Sequence, residues 1–189
     1  GIAAVARHPQ REEFLVGGSD GLPKIYQIFR TAPRQIGDDN NGVFTLEPML
    51  GRVTSVAFSH DGTLLAAASA LDGKSEVLAA TFTFGTNAIP KEMADVMKKI
   101  PASRSDKDRE VIEKYKASGS KKLFKTPVTQ AAVFAVAIAP DAKSIAAAGS
   151  DGVIRLFNAE NGSVLKEFPS VKVSASSKAL AAKKFEGPA

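Results

Sequence analysis

The clearest structural signal in the chain is the stretch Val133-Phe-Ala-Val-Ala-Ile-Ala-Pro-Asp-Ala-Lys-Ser-Ile-Ala-Ala-Ala-Gly-Ser-Asp-Gly-Val-Ile-Arg-Leu-Phe-Asn158. An apolar segment leads into a Pro-Asp turn, a small-residue segment leads into a Ser-Asp-Gly turn, and an alternating segment follows. Short apolar runs bounded by turn residues predict three consecutive antiparallel strands. Asn161-Gly162 then predicts a hairpin turn into a fourth strand.

The same pattern occurs twice more, in residues 2–28 and in residues 53–84. A unit that recurs every roughly 40–50 residues indicates stacked structural repeats, because one such unit cannot bury its own faces. We therefore predict an all-β chain of three four-stranded units. The predicted divisions are residues 1–50, 51–130 and 131–169, followed by a flexible tail over 170–189.

Asp and Gly recur together in the turn between the second and third strands of each unit. A ring of carboxylates could hold a metal, but Asp also accepts hydrogen bonds from its own turn backbone, and the Gly after it adopts a positive φ. Recurrence in every unit favours turn chemistry. We assign this structural role to Asp20, Gly21, Asp72, Gly73, Asp151 and Gly152.

Composition and motifs argue against catalysis. The chain has 189 residues and no cysteine, which excludes disulfides, thiolate zinc sites and a cysteine nucleophile. It contains neither a phosphate-binding glycine loop nor a Gly-x-Ser-x-Gly elbow. His8 and His60 lack partners at metal-ligand spacing, and Asp38-Asp-Asn-Asn41 lacks the spacing of a calcium loop. We predict no catalytic, metal-binding or cofactor-binding residue, and a protein that is not an enzyme.

An insertion over about residues 87–120, called the insert below, interrupts the second unit before its fourth strand. Apolar residues at helical spacing predict a first helix that begins near Pro90 and ends at Pro101. Ser105 followed by Asp108 resembles a capping box and predicts the start of a second helix, with Gly119 at its end. The expected apolar stripes are Met93, Val96, Met97 and Ile100 in the first helix and Val111, Ile112 and Tyr115 in the second.

The net charge of +5 is concentrated around the insert, since residues 91–125 hold 11 Lys and Arg against 6 Asp and Glu. Such a surface is either a solvated helical face or a docking site for an acidic protein. We expect no nucleic-acid partner, because only Tyr115 and Phe124 could stack on bases. The candidate partner-binding residues are Lys98, Lys99, Arg104, Lys107, Arg109, Lys114 and Lys116.

The stretch Gly149-Ser-Asp-Gly-Val-Ile-Arg-Leu-Phe-Asn158 resembles the end of a WD repeat. Phe157 stands where that family usually has Trp, and Asn158 stands where it has Asp. Tyr26-Gln27 and Ala80-Thr81 occupy the equivalent places in the other units. The resemblance implies a β-propeller, in which four-stranded blades surround a central channel.

A narrower resemblance rests on Gly18-Ser-Asp-Gly-Leu-Pro-Lys-Ile-Tyr26, Phe29-Arg-Thr31 and Ile36-Gly-Asp-Asp39. These segments are similar to the WD-repeat regions of planctomycete and verrucomicrobial proteins that also carry c-type cytochrome domains. The resemblance implies a bacterial, exported or periplasmic protein that belongs to a redox or electron-transfer complex with a c-type cytochrome. A cytoplasmic location remains open.

Three blades do not close a ring, because propellers have about four to eight. An open wedge would expose two apolar blade faces, larger than the few hundred Å² that a monomer usually exposes. We expect the ring to be completed by blades of a partner chain, of a longer parent chain, or of a second copy in a homodimer. The predicted function is a non-catalytic protein–protein interaction scaffold or assembly subunit.

Overall fold

The computed structural model describes residues 1–28, 41–83, 90–129 and 131–170. It contains three four-stranded antiparallel sheets, each with its strands in chain order. Blade one comprises β1 (Ile2–Arg7), β2 (Glu13–Gly18), β3 (Lys24–Gln27) and β4 (Gly42–Thr45). Blade two comprises β5 (Arg52–Phe58), β6 (Leu64–Leu71), β7 (Lys74–Phe82) and β8 (Ser120–Val128). Blade three comprises β9 (Val133–Ile138), β10 (Ser144–Gly149), β11 (Val153–Asn158) and β12 (Val164–Pro169). The predicted fold class is confirmed.

The insert forms two helices, α1 (Lys91–Met97) and α2 (Asp106–Gly119), with a 3-10 turn at Pro101–Ser103 between them. The Ser105 side chain accepts a hydrogen bond from the backbone N–H of Asp108, whose carboxylate accepts from the Ser105 N–H, so the capping box is present. Helix α2 continues directly into β8, which ties the insert to the outer edge of blade two.

The predicted apolar stripe of the first helix is partly wrong. Met93 and Val96 are buried, but Met97 is 36% exposed and Ile100 is 61% exposed. The physical reason is that α1 ends at Met97. A residue beyond the last helical turn no longer follows the helical period, so Ile100 does not share the buried face. Gly119 is the last residue of α2, with Ser120 in an extended conformation after it.

The repeated Asp-Gly turns use two geometries. The side chains of Asp20 and Asp151 accept hydrogen bonds from the backbone N–H two residues further on, each at 3.2 Å. At Asp72-Gly73 the hairpin is tighter, because Leu71 pairs directly with Lys74. Both turn residues there have positive φ, at 49° and 73°, which suits a two-residue hairpin that follows the twist of its strands.

Two apolar cores lie between the three blades. One joins Leu15 and Ile25 of blade one to Leu65 and Leu78 of blade two. The other joins the opposite face of blade two to blade three and includes Phe157. Because blade two is covered on both faces, Leu64–Ser69 of β6 are all buried, which explains the run of apolar residues that precedes Ser69.

Candidate functional site

The exposed faces of the terminal blades are the main candidate surfaces. We call the face of a blade toward the preceding blade its back face, and the face toward the following blade its front face. Strand register shows which residues occupy equivalent positions in the three blades, because each inner-strand residue pairs with a defined residue of the second strand. The same position can therefore be compared with and without a neighbouring blade.

Back-face residues of the inner strands are buried or half-buried where a preceding blade exists, with Val136 of blade three among the half-buried ones. Val53 and Val56 of blade two are 0% and 8% exposed, and Val133 of blade three is 1% exposed. Their equivalents in blade one, Ile2 and Val5, are 73% and 61% exposed. The sequence thus places the same kind of side chain at these positions in blade one, but nothing among the described residues covers it.

The rest of the back face of blade one carries aromatic and aliphatic side chains together with the basic Arg7, which pairs with Phe14, and Lys24, which pairs with Val16. Phe14 and Val16 of β2 are only half-buried, whereas the equivalent Leu65 and Ala67 of blade two are fully buried. Tyr26 of β3 pairs with Phe14, and their rings stack with centroids 6.0 Å apart. The blade-one back face is defined below as Ile2, Val5, Phe14, Val16 and Tyr26.

The front face of blade three also lacks a covering blade among the described residues. In blade two, Ala66, Ala68 and Val77 on the front face are fully buried against blade three. In blade three the equivalent side chains are only partly buried. Strand pairing places them on one side of the sheet. The blade-three front face is defined as Ala146, Ala148, Ile154, Leu156 and Phe168.

Polar contacts hold together the seams that do exist. Between blades two and three, the Ser75 hydroxyl donates to the Ala131 carbonyl and accepts from the Val133 N–H, each at 2.8 Å. The Thr54 hydroxyl donates to the Val133 carbonyl at 2.7 Å. Between blades one and two, Lys122 pairs with Glu47 at 2.8 Å. A seam is therefore an apolar core with a few directed polar contacts around it.

His8 connects the blade-one and blade-two turns that follow the inner strands. Its Nδ1 accepts the backbone N–H groups of Gln10 at 3.2 Å and Arg11 at 3.1 Å, and its Nε2 lies 3.2 Å from the Gly62 carbonyl. Since Nδ1 accepts, the neutral ring carries its proton on Nε2 and donates to Gly62. Burial, followed by the nearby Arg11 charge, lowers the pKa of His8 below its ordinary 6.5.

The basic residues of the insert are mostly paired with acids of the same insert. Among the described contacts, Lys98 pairs with Asp95, Lys99 with Asp108, Arg109 with Asp106 and Lys114 with Glu110. Lys107 is exposed, and the Nε atom of Arg104 is buried without a hydrogen-bond partner among those contacts. The side chain of Lys116 lies outside the described residues. The structure therefore places these cations on one insert but does not gather them around one point.

The Lys99 ammonium and the hydrogen bonds from Ser105 lower the pKa of Asp108 to about 2. Asp108 is consequently ionised across the physiological range and supports the start of α2. Within the described part of the chain, no group of His, Asp and Glu could hold a metal ion. The predicted Asp38–Asn41 turn lies mostly outside the described residues. None of the described helices has the length and apolar character needed to span a membrane.

The in-order four-stranded sheets, packed face to face, have the architecture of a β-propeller segment. A family model described as "WD domain, G-beta repeat" matches residues 43–74, and one described as "Anaphase-promoting complex subunit 4 WD40 domain" matches residues 103–180. WD repeat-containing protein 1 of Bos taurus is 41% identical over 66 residues, which cover 35% of this chain and 10% of that protein. These matches support a WD-repeat family for the chain, which spans only a small part of that curated relative.

Sequence reasoning selected the insert cations and did not name the residues of the open faces. The signal was present in the repeat itself, since Ile2, Val53 and Val133 occupy one repeat position. Comparing the three units position by position would have shown that Ile2 occupies the position of an interface residue, although no described residue covers it.

Proposed function

We propose that this chain is a non-catalytic protein-interaction scaffold whose blade-one back face and blade-three front face dock further propeller blades. A partner chain, a longer parent chain or a second copy could supply those blades. The observation that carries the proposal is the exposure of Ile2 and Val5, since the equivalent Val53, Val56 and Val133 are buried and the equivalent Val136 is half-buried. The WD-repeat matches support the same kind of role, because rigid blades present surfaces and loops to protein partners.

The expected energetics favour coverage of both faces. Burial of one side chain the size of Val to Phe contributes about 1.5–3 kcal/mol. Association of two proteins costs about 4–15 kcal/mol in lost freedom of motion. One apolar contact is therefore insufficient, and coverage of a face must bury several side chains together, as the two existing cores do.

Photo-crosslinking tests the proposal in native material. A photoreactive residue replaces Val5 in one variant, Leu156 in a second and Ile100 in a control. Val5 and Ile100 are equally exposed in the single chain, at 61%, so exposure alone cannot separate them. We expect crosslinks from Val5 and Leu156 that map to residues of a four-stranded blade. If Ile100 crosslinks to residues of a four-stranded blade as often as Val5 and Leu156 do, the docking role of the faces is contradicted.

The insert is a further proposed contact region, through the seven basic residues named above. What supports it is the exposure of Lys107 and the attachment of α2 to β8. We expect Lys107→Glu to weaken capture of an acidic protein partner, with Lys143→Glu on the β9–β10 turn as the matched control for net charge. Equal effects of both variants would remove the insert from the proposal.

A second candidate function is the propeller part of a c-type-cytochrome-associated redox complex in an exported compartment. Its support is the similarity of the segment Gly18–Tyr26 to proteins that join both domains. Native particles should then show a Soret absorption band that copurifies with this chain. Particles that lack the band would oppose this candidate and leave the plain scaffold role intact.

A further inference from the structure

We infer that an extended hairpin of blade two, together with the linker beside it, is a docking site for an acidic protein segment that also carries apolar side chains. The surface consists of Leu50 on the linker, Arg52 at the start of β5, and Leu71 and Lys74 on the hairpin. We call these four residues the hairpin ridge. They lie outside the two open blade faces, so the inference goes beyond the proposed function and can fail without affecting it.

The hairpin between β6 and β7 is longer than its equivalents in the other blades. Ser69, Gly18 and Gly149 occupy one repeat position, because each pairs with the first back-face residue of its inner strand. Strands β2 and β10 end at that position, whereas β6 continues to Leu71 and the chain turns back at Lys74. Extra residues in one unit of a stacked repeat array lie at one end of the stack, which is often the end that binds a partner.

The linker from blade one lies directly against this hairpin. A Cβ on Gly51 would be 2.5 Å from the Cβ of Leu71, so only glycine lets the two segments approach this closely. The neighbouring Leu50 N–H donates a hydrogen bond to the Glu76 carboxylate at 2.8 Å, which fixes the linker to β7. Both segments are therefore ordered before a partner arrives, which reduces the cost of binding.

The hairpin ridge combines exposed apolar side chains with cations. Leu71 is 46% exposed and Leu50 is 37% exposed, although both belong to well-anchored backbone. Lys74 pairs with Leu71 across the hairpin, and Arg52 pairs with Ala70, the residue before Leu71. Two leucines thus have a cation on either side of them.

The two cations of the ridge are exposed and have no acidic partner among the described contacts. In blade three the turn residue Asp151 pairs with Arg155, four residues further on, at 2.6 Å. The residue four places after the equivalent Asp72 is instead Glu76, whose carboxylate already binds the linker N–H and pairs with Lys125 at 3.3 Å. Carboxylates of a partner would therefore supply the missing charges, and hydrogen bonds between charged groups are the stronger ones.

These features favour a protein segment over a nucleic acid. The ridge has two cations and no aromatic side chain, whereas single-stranded nucleic acid is bound by stacking on aromatic rings along a basic groove. The leucines require apolar side chains in the partner, and the cations require carboxylates. A peptide segment in which Asp or Glu lies next to Leu, Ile or Phe meets both requirements.

Selection of short random peptides, displayed on phage and presented to the native particle, tests the inference. Peptides that bind wild type but not Leu71→Ser should combine acidic residues with large apolar ones. Lys74→Glu should weaken their binding about tenfold or more, as expected when a central contact is lost. Added salt should also weaken it, because exposed charges are screened. The matched controls Ile100→Ser, at an exposed apolar position, and Lys143→Glu, at an exposed cation, should bind these peptides as wild type does.

Reversal of both ridge charges gives a second readout. The double variant Arg52→Glu, Lys74→Glu should select basic peptides in place of acidic ones, which a merely misfolded chain would not do. Peptides that lack acidic residues, or that bind Leu71→Ser and Lys74→Glu as tightly as wild type, would overturn the inference. Binding of phosphatidylserine vesicles that is lost in the same two variants, without any selected peptide, would also overturn it and assign the ridge to an anionic lipid surface.

Discussion

At the scale of single residues, two buried serines of blade two provide a matched pair. The Ser75 hydroxyl makes two hydrogen bonds to blade three, at 2.8 Å each, whereas the Ser69 hydroxyl has no partner among the described residues. Ser75→Ala should lower the free energy of unfolding by about 1–3 kcal/mol, because it leaves buried backbone groups unpaired. Ser69→Ala should change it by less than about 0.5 kcal/mol or raise it. Urea denaturation measures both, and equal losses would contradict the assigned seam contacts.

His8 should make stability depend on pH. Its pKa is lowered in the folded chain by burial and by Arg11, with Asp61 acting in the opposite direction. The unfolded chain therefore takes up the proton first as pH falls. Stability is fully present above the ordinary pKa of 6.5 and is lost progressively as pH falls toward the lowered folded value.

Urea midpoints at pH 7.5 and at lower pH test this dependence, with His8→Gln expected to reduce it. The exposed His60 provides the control, and His60→Gln should leave the dependence unchanged. If His8→Gln and wild type lose stability in parallel between these pH values, the burial of His8 does not cause the pH dependence.

Gly62 and Gly73 have nearly equal φ angles, so substitutions at these two positions distinguish the cost of backbone strain from the cost of side-chain overlap. Gly62 has φ of +75° and Gly73 has φ of +73°, but a Cβ on Gly62 would overlap the His8 ring, while a Cβ on Gly73 meets nothing within 4 Å. Gly73→Ala should cost about 1–2 kcal/mol from the left-handed backbone alone. Gly62→Ala should cost about 1–3 kcal/mol more because it overpacks the seam. Similar thermal and urea losses for both variants would contradict this account.

At the scale of elements, loss of the capping box should destabilise the first turn of α2 and leave the rest of the chain unchanged. Ser105 and Asp108 form the capping box, and Lys99 contacts Asp108 at 2.7 Å. Ser105→Ala should destabilise this helix by about 1 kcal/mol. Hydrogen exchange should therefore quicken in the first turn of α2, whereas Ser118→Ala near the other end should leave that turn unchanged. Unaltered exchange in Ser105→Ala would show that packing on blade two, rather than the cap, holds the helix.

The elements themselves could be predicted because their signals are local. Alternation and turn residues indicated the strands, and Ser105 with Asp108 indicated the second helix. The stripe through Ile100 was wrong because where α1 ends depends on how the insert folds back on itself. The partners of His8 and Ser75 lie 54 to 58 residues away. Contacts at such separations depend on how blades stack, which no local pattern specifies.

At the scale of the whole molecule, the arithmetic of three blades predicted open faces, but not which residues form them. That assignment required strand register, because Val5 and Leu156 are assigned to the open faces through their equivalence to the buried Val56 and Ala79. Blade two shows what completion achieves, since both of its faces are buried. The central claim is that further blades bury the open faces of blades one and three, as the neighbouring blades bury both faces of blade two.

Thiol labelling tests that claim most directly, because the chain contains no cysteine of its own. Val5→Cys reports on the blade-one back face, and Ile100→Cys is the control, since both positions are 61% exposed in the single chain. In the native particle, the thiol of Val5→Cys should react at least about tenfold more slowly, equivalent to ~1.4 kcal/mol of protection. A thiol of Val5→Cys that reacts in the native particle as fast as in the dissociated single chain would show that the back face is open in solution and would contradict the account.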